Sequence, residues 1–199
     1  MSFVRTIRKV CFGLFVRSFF ILFGLAISWS VVSMGLDLLS TTYGIKLDRD
    51  FLYFLQGYST GSYKKYLINA QELYSFEPLL SLLGITRQSF ITSVLQIASR
   101  IFISRCACSH DNKTITGLMI LVWGISDCIR FLYYAFPPLK KIRYLASLIL
   151  YPIGILCEIY LMINMKNILS LIGLIVYAPG IIYLYGRIRA KRNKIVHAK

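Results

Sequence analysis

Hydrophobic positions in this chain fall in long uncharged runs, not in alternating or one-sided stripes. Ser18 to Leu36 is 19 residues without a charge, and Asn167 to Gly186 is another 20. A helix rises about 1.5 Å per residue, so 19 residues cover about 28 Å, close to the thickness of a bilayer's hydrocarbon. Tyr144 to Met165 is 22 residues with one charge, Glu158. Thr114 to Phe136 is apolar apart from Asp127 and Arg130, and Gln88 to Ser104 is apolar apart from Arg100. Leu67 to Ile85 is the weakest such segment, because Glu72, Glu77 and Pro78 interrupt it. The pattern predicts an all-α integral membrane protein, a six-transmembrane-helix bundle. The spans fall at about 18–36, 67–85, 88–104, 114–136, 144–165 and 167–186, in a single membrane domain over 1–199 with a basic tail at 187–199. The first run is too long for a signal-peptide core, and no clear small-residue cleavage site follows it, so it reads as an anchor.

Composition narrows the class further. Of the 199 residues 57% are hydrophobic and 16% charged, and the mean hydropathy is +0.64. Soluble domains carry about 25% charged residues. A water-soluble core of this size cannot hide so much apolar surface, which argues against a soluble enzyme and against disorder. Five cysteines, an odd number, give no disulfide framework.

Charge is the anomaly: 23 Lys and Arg against 8 Asp and Glu, a net +15. Its placement explains it. All eight acids lie between Asp37 and Glu158. Arg5, Arg8, Lys9 and Arg17 precede or open the first span, and Arg187, Arg189, Lys191, Arg192, Lys194 and Lys199 follow the last. Basic residues that flank apolar runs mark the cytoplasmic side, so both termini are expected there, with the loop of Lys140, Lys141 and Arg143. The loop over 37–66 is then luminal, and its mixture of Lys46, Arg49, Lys64 and Lys65 with Asp48 and Asp50 fits less cleanly. The partner implied by this distribution is the lipid bilayer and its anionic headgroups, not nucleic acid.

The informative charges are those inside spans, where each costs about 2.5–3.5 kcal/mol on insertion scales and marks function by default. They are Glu77, Arg100, Asp127, Arg130 and Glu158. Asp127 and Arg130 are i,i+3 neighbours and can neutralise each other as a structural clamp. Arg100 is a partner for a carboxylate or snorkels from its span end. Glu158 has no basic residue one turn away in sequence, and a lone buried carboxyl suits proton transfer as well as pairing across helices. Tyr151 lies seven residues before it, nearly two turns, so the two share a face about 10 Å apart along the axis. Tyr144 extends the stripe. Pro152 removes a helical hydrogen bond beside Tyr151, and Gly154 lets a backbone or a substrate chain approach.

Those residues sit in a longer match. RYLASLILYPIGILCEI (Arg143–Ile159), LQIASR (Leu95–Arg100), WGISDCIRFLYY (Trp123–Tyr134) and QELYSFEPLLSLLGITR (Gln71–Arg87) occur as four blocks covering roughly 71–160. Together they resemble the 3-hydroxyacyl-CoA dehydratases of very-long-chain fatty acid elongation, also called protein tyrosine phosphatase-like proteins. The family's RY…LYP-G…E pattern contains its catalytic Tyr and Glu, which map onto Tyr151 and Glu158. Departures are Asp127 where the family has Glu, Leu80 where it has His, Ile21-Leu22 where it has Tyr-Asn, and Cys157 where it has Gly.

The resemblance implies removal of water from a (3R)-3-hydroxyacyl-CoA to give a trans-2-enoyl-CoA, without metal or redox cofactor. One carboxyl and one phenol fill the base and acid roles. Glu158 as base and Tyr151 as donor is the assignment adopted, since a phenol of ordinary pKa near 10 is protonated at neutral pH; the exchanged assignment stays open. Tyr144, Arg100, Asp127, Arg130, Arg143 and Gly154 are the supporting or substrate-binding residues. The resemblance also implies an endoplasmic reticulum location and other elongation enzymes as partners. The competing classes are a diverged scaffold subunit, with Tyr151 and Glu158 packed without a cavity, and a small transporter, with a route to both sides. Two further patterns carry less. Cys11 and Arg17 have the C-x5-R spacing of a phosphatase, but FGLFV between them cannot cradle a phosphate. Cys106, Cys108 and His110 lack a fourth ligand at zinc-site spacing.

Overall fold

A computed structural model describes residues 2–45, 63–84, 86, 89–106, 108 and 112–196. Among them no strand occurs, and seven α-helices follow in order: α1 (Ser2–Tyr43), α2 (Tyr63–Leu73), α3 (Phe76–Leu82), α4 (Phe90–Cys106), α5 (Lys113–Ala135), α6 (Lys140–Asn164) and α7 (Ile168–Val196). A 3-10 turn at Pro137–Leu139 joins α5 to α6. Among the described residues three stretches are long and apolar enough to cross a membrane: Gly13–Tyr43, Lys113–Ala135 and Pro137–Asn164. Ile168–Tyr183 of α7 is apolar but shorter, and α4 has 17 residues, about 26 Å.

The segment expected as one span over 67–85 is two helices. The chain breaks at Tyr74 and Ser75, leaving helices of 11 and 7 residues, α2 and α3. The break has a visible cause. The Tyr74 hydroxyl lies 2.8 Å from the Ser28 hydroxyl of α1, and Glu77, one turn on, is fully buried. Pro78, in the first turn of α3, has no N–H to bond the Tyr74 carbonyl, which takes the Glu77 N–H at 2.9 Å instead, so the helix restarts here. The mixed-charge loop of Lys46, Asp48, Arg49 and Asp50 lies outside the described residues, as does His110. Cys108 is buried, which pushes its thiol up to about 12. Cys11 and Arg17 both lie within the unbroken α1, so their spacing spans helix, not a phosphate loop.

Glycine governs the central crossing of α1 and α5. A Cβ on Gly35 would stand 2.6 Å from the Leu121 backbone nitrogen, and one on Gly124 would stand 2.7 Å from that of Val32. Hydrogen leaves room for the two backbones to touch, the membrane way of packing helices when lipid removes the hydrophobic drive. Gly117 against Leu39 and Gly24 against Phe131 complete the seam. Residue numbers fall on α1 as they rise on α5, so the pair is antiparallel. α6 and α7 are antiparallel too, with Glu158 beside Tyr177, Tyr151 on Tyr185 and Met162 near Gly173. The start of α1, the start of α6 and the end of α7 therefore share one end of the bundle. Arg17 reaches the Tyr134 carbonyl there at 3.0 Å, capping the end of α5.

Two buried clusters form the core. One joins α1, α2, α5 and α6 through Val31, Leu67, Met119, Trp123 and Leu161; the other gathers Ile21, Tyr74, Phe131 and Tyr134.

Candidate active site

α4, α5, α6 and α7 enclose a cavity of about 380 Å³. Arg100, Gln96 and Phe102 come from α4, and Val122, Trp123 and Ser126 from α5. α6 gives Tyr151, Gly154 and Glu158, and α7 gives Gly173, Tyr177 and Gly180. The heptad spacing of Tyr151 and Glu158 puts both on the one wall of α6 that faces this space. Pro152 leaves the Leu148 carbonyl without its helical donor, and Pro179 does the same to Ile175 on the facing helix.

Glu158 is 5% exposed and has no basic residue against it among its hydrogen-bond partners. Its Oε1 accepts from the Trp123 indole nitrogen at 2.8 Å, and its Oε2 accepts from the Tyr177 hydroxyl. Tyr151 stacks on Tyr185 of α7, ring centroids 6.5 Å apart and 14° from parallel. Gly154 supplies space: a Cβ there would meet only ordinary contacts, 3.9 Å from Trp123 Nε1 and 4.0 Å from Glu158 Oε1.

Behind the cavity the other charges expected inside spans form one connected set. Arg100 Nη1 lies 2.8 and 2.6 Å from the two Asp127 oxygens. Arg130 bridges Asp127 at 3.1 Å and Glu77 at 3.0 Å, and the Tyr134 hydroxyl donates to Glu77 at 2.9 Å. Two guanidinium groups thus meet two carboxylates, and the set is neutral. Arg100 also lies over the Trp123 ring, 5.2 Å from its centroid, which couples the set to the cavity wall.

The sequence-predicted residues divide accordingly. Tyr151, Glu158, Gly154 and Arg100 line the cavity; Asp127, itself bridged by Arg130, holds Arg100 from behind. Arg143 and Tyr144 do not line it. Arg143 sits at the start of α6 over the rings of Tyr133, Tyr134 and Tyr144, at 4.6, 5.5 and 5.9 Å. Sequence reasoning passed over Trp123 as a contact of the carboxylate and did not single out Tyr177. Trp123 stands in one of the four blocks, but nothing local ties an indole to a carboxylate 35 positions away. Tyr177 is one of the chain's 14 tyrosines and lies in an uncharged run. The one available signal was its register with Gly173 and Gly180, spacings of four and three that place all three on one helical face.

The family model described as protein tyrosine phosphatase-like protein, PTPLA, matches residues 71–173, which include Arg100, Trp123, Asp127, Tyr151 and Glu158. The chain belongs to this family. A Schizosaccharomyces pombe relative is 31% identical over 147 residues, 63% of this chain and 71% of the relative. That relative carries the name "Probable very-long-chain (3R)-3-hydroxyacyl-CoA dehydratase". No solved structure matches the chain.

Proposed function

We propose that this chain is a very-long-chain (3R)-3-hydroxyacyl-CoA dehydratase, a hydro-lyase of the third step of fatty acid elongation. The observation that carries the reading is that Tyr151 and Glu158, one phenol and one carboxyl from a single helix, line the same cavity. A scaffold subunit would pack them without such a space.

In the proposed reaction Glu158 takes a proton from C2 of the thioester. The electron pair of that C–H bond becomes the C2=C3 double bond as the C3–O bond breaks. Tyr151 donates its proton to the departing hydroxyl, which leaves as water, and the proton on Glu158 returns to the phenolate through solvent. The C2 proton is acidic only when the thioester carbonyl can carry negative charge, so a donor near that oxygen contributes in the transition state. Gly154 gives the acyl chain room. Arg100, Asp127 and Arg130 hold the wall, and Tyr144 and Arg143 stand at the basic end of α6, where the CoA phosphates arrive. The cavity walls supply the acid, the base and the surface for an apolar tail from protein side chains.

The same reading sets the chain in the endoplasmic reticulum membrane as a six-span bundle with both termini cytoplasmic, among other elongation enzymes. Its support is that the basic ends of α1 and α7 share one end of the bundle with Lys140 and Lys141. The test is direct. Purified protein in lipid nanodiscs, given a long-chain (3R)-3-hydroxyacyl-CoA, forms the trans-2-enoyl-CoA, read by its absorbance or by mass. Folded protein that forms none overturns the proposal.

A further inference from the structure

Glu158 is gripped from two helices that are not its own. On one side the indole of Trp123, on α5, donates to Oε1 at 2.8 Å. Trp123 is 3% exposed, and its ring carries the Arg100 guanidinium, itself fixed by both oxygens of Asp127. On the other side the Tyr177 hydroxyl, on α7, donates to Oε2. A glutamate side chain left loose samples several rotamers. With a donor on each oxygen it keeps one orientation, and each oxygen retains acceptor capacity, because a carboxylate offers about four lone-pair sites. Trp123, Gly154 and Glu158 line one cavity, so the clamped group adjoins room for a ligand.

We infer that Trp123 and Tyr177 are positioning residues that clamp the two oxygens of Glu158 and set the direction in which it takes a substrate proton. Tyr177 lies beyond residues 71–173, so half of this clamp comes from chain that the family pattern does not read. The inference rests on the reading of Glu158 as a group of the dehydration reaction. Tyr177 acts through the carboxylate and not on the leaving hydroxyl, which Tyr151 serves.

Tyr177→Phe tests it, because it removes the hydroxyl and keeps the ring. Misplacing a reacting group by about 1 Å costs up to about 10²-fold in rate. The variant is expected to lose about tenfold to hundredfold in kcat, with KM within about twofold of wild type and an unchanged unfolding midpoint. Trp123→Phe is expected to act in the same direction. A merely structural tyrosine would lower the unfolding midpoint and leave kcat per folded molecule intact, which overturns the inference. A second readout needs no turnover. The infrared carboxyl band that disappears in Glu158→Gln shifts in Tyr177→Phe when the clamp exists; an unshifted band overturns it. The two failures are distinguishable. Full activity in Glu158→Gln sinks the role of the carboxylate, whereas full activity in Tyr177→Phe beside an inactive Glu158→Gln sinks the clamp alone.

Discussion

Breaking the buried charge set should cost more than any neutral polar contact between these helices. Asp127 is 1% exposed and Glu77 fully buried, while the side chains of Arg130 and Arg100 are 8% and 11% exposed. Removing one partner leaves a net charge in low dielectric. Asp127→Asn leaves Arg100 and Arg130 facing Glu77 alone, an excess of one positive charge. Arg100→Met leaves Asp127 sharing Arg130 with Glu77, an excess of one negative charge. Loss of one partner of a buried pair costs about 3–5 kcal/mol. Neutral interhelical hydrogen bonds in membranes average about 0.6 kcal/mol, so the charge dominates the expected effect. Each single variant should therefore lose about 3–5 kcal/mol. The double variant restores neutrality and retains the Arg130–Glu77 pair. It should lose less than the sum, with a coupling of about 2–3 kcal/mol. The assay is reversible unfolding in mixed micelles, followed by far-ultraviolet circular dichroism. Single losses under about 1 kcal/mol, with an additive double, would refute the reasoning.

Other positions give cheaper tests. Gly35→Ala or Gly124→Ala puts a methyl 2.6 or 2.7 Å from a facing backbone nitrogen, and should cost about 1–3 kcal/mol by overpacking. Gly13→Ala, with nothing within 4 Å, should be neutral or slightly stabilising in the same unfolding experiment. Gly154→Ala should leave the unfolding midpoint near wild type and raise KM for the acyl-CoA, since its methyl meets only ordinary contacts beside Glu158 and Trp123. The Asn112 side chain accepts from the Ile115 backbone nitrogen at 3.3 Å. Asn112→Ala should therefore cost about 0.5–2 kcal/mol of stability through loss of the α5 N-cap.

Helix positions were legible because lipid penalises charge at every residue, so apolar runs with one or two charges delimit helices to within a few residues on α4, α5 and α6. The start of α1 and the end of α7 run further than the apolar rule gives, because helix continues past the hydrocarbon into basic sequence. The break at Tyr74 was foreshadowed by Pro78, which has no N–H for the Tyr74 carbonyl, but the Ser28 hydroxyl that Tyr74 meets is 46 residues away and was not legible. The i,i+3 spacing of Asp127 and Arg130 shows in the sequence, but not that Arg100 and Glu77 join them from other helices. Helical periodicity placed Tyr151 and Glu158 on one face; it also put Tyr144 there, two turns too far along α6 to line the cavity. Tyr177 stayed hidden because an apolar run gives each of its aromatics the same background.

The central claim is that Tyr151 and Glu158 perform the proton transfers, and their side-by-side loss tests it most directly. Dehydration of a long-chain (3R)-3-hydroxyacyl-CoA is measured in nanodiscs for Tyr151→Phe and Glu158→Gln, each normalised to folded protein. Acid–base groups contribute about 10²–10⁴-fold, so each variant should fall by at least about a hundredfold while keeping the wild-type unfolding midpoint. A folded variant of either kind that turns over at the wild-type rate would contradict the account.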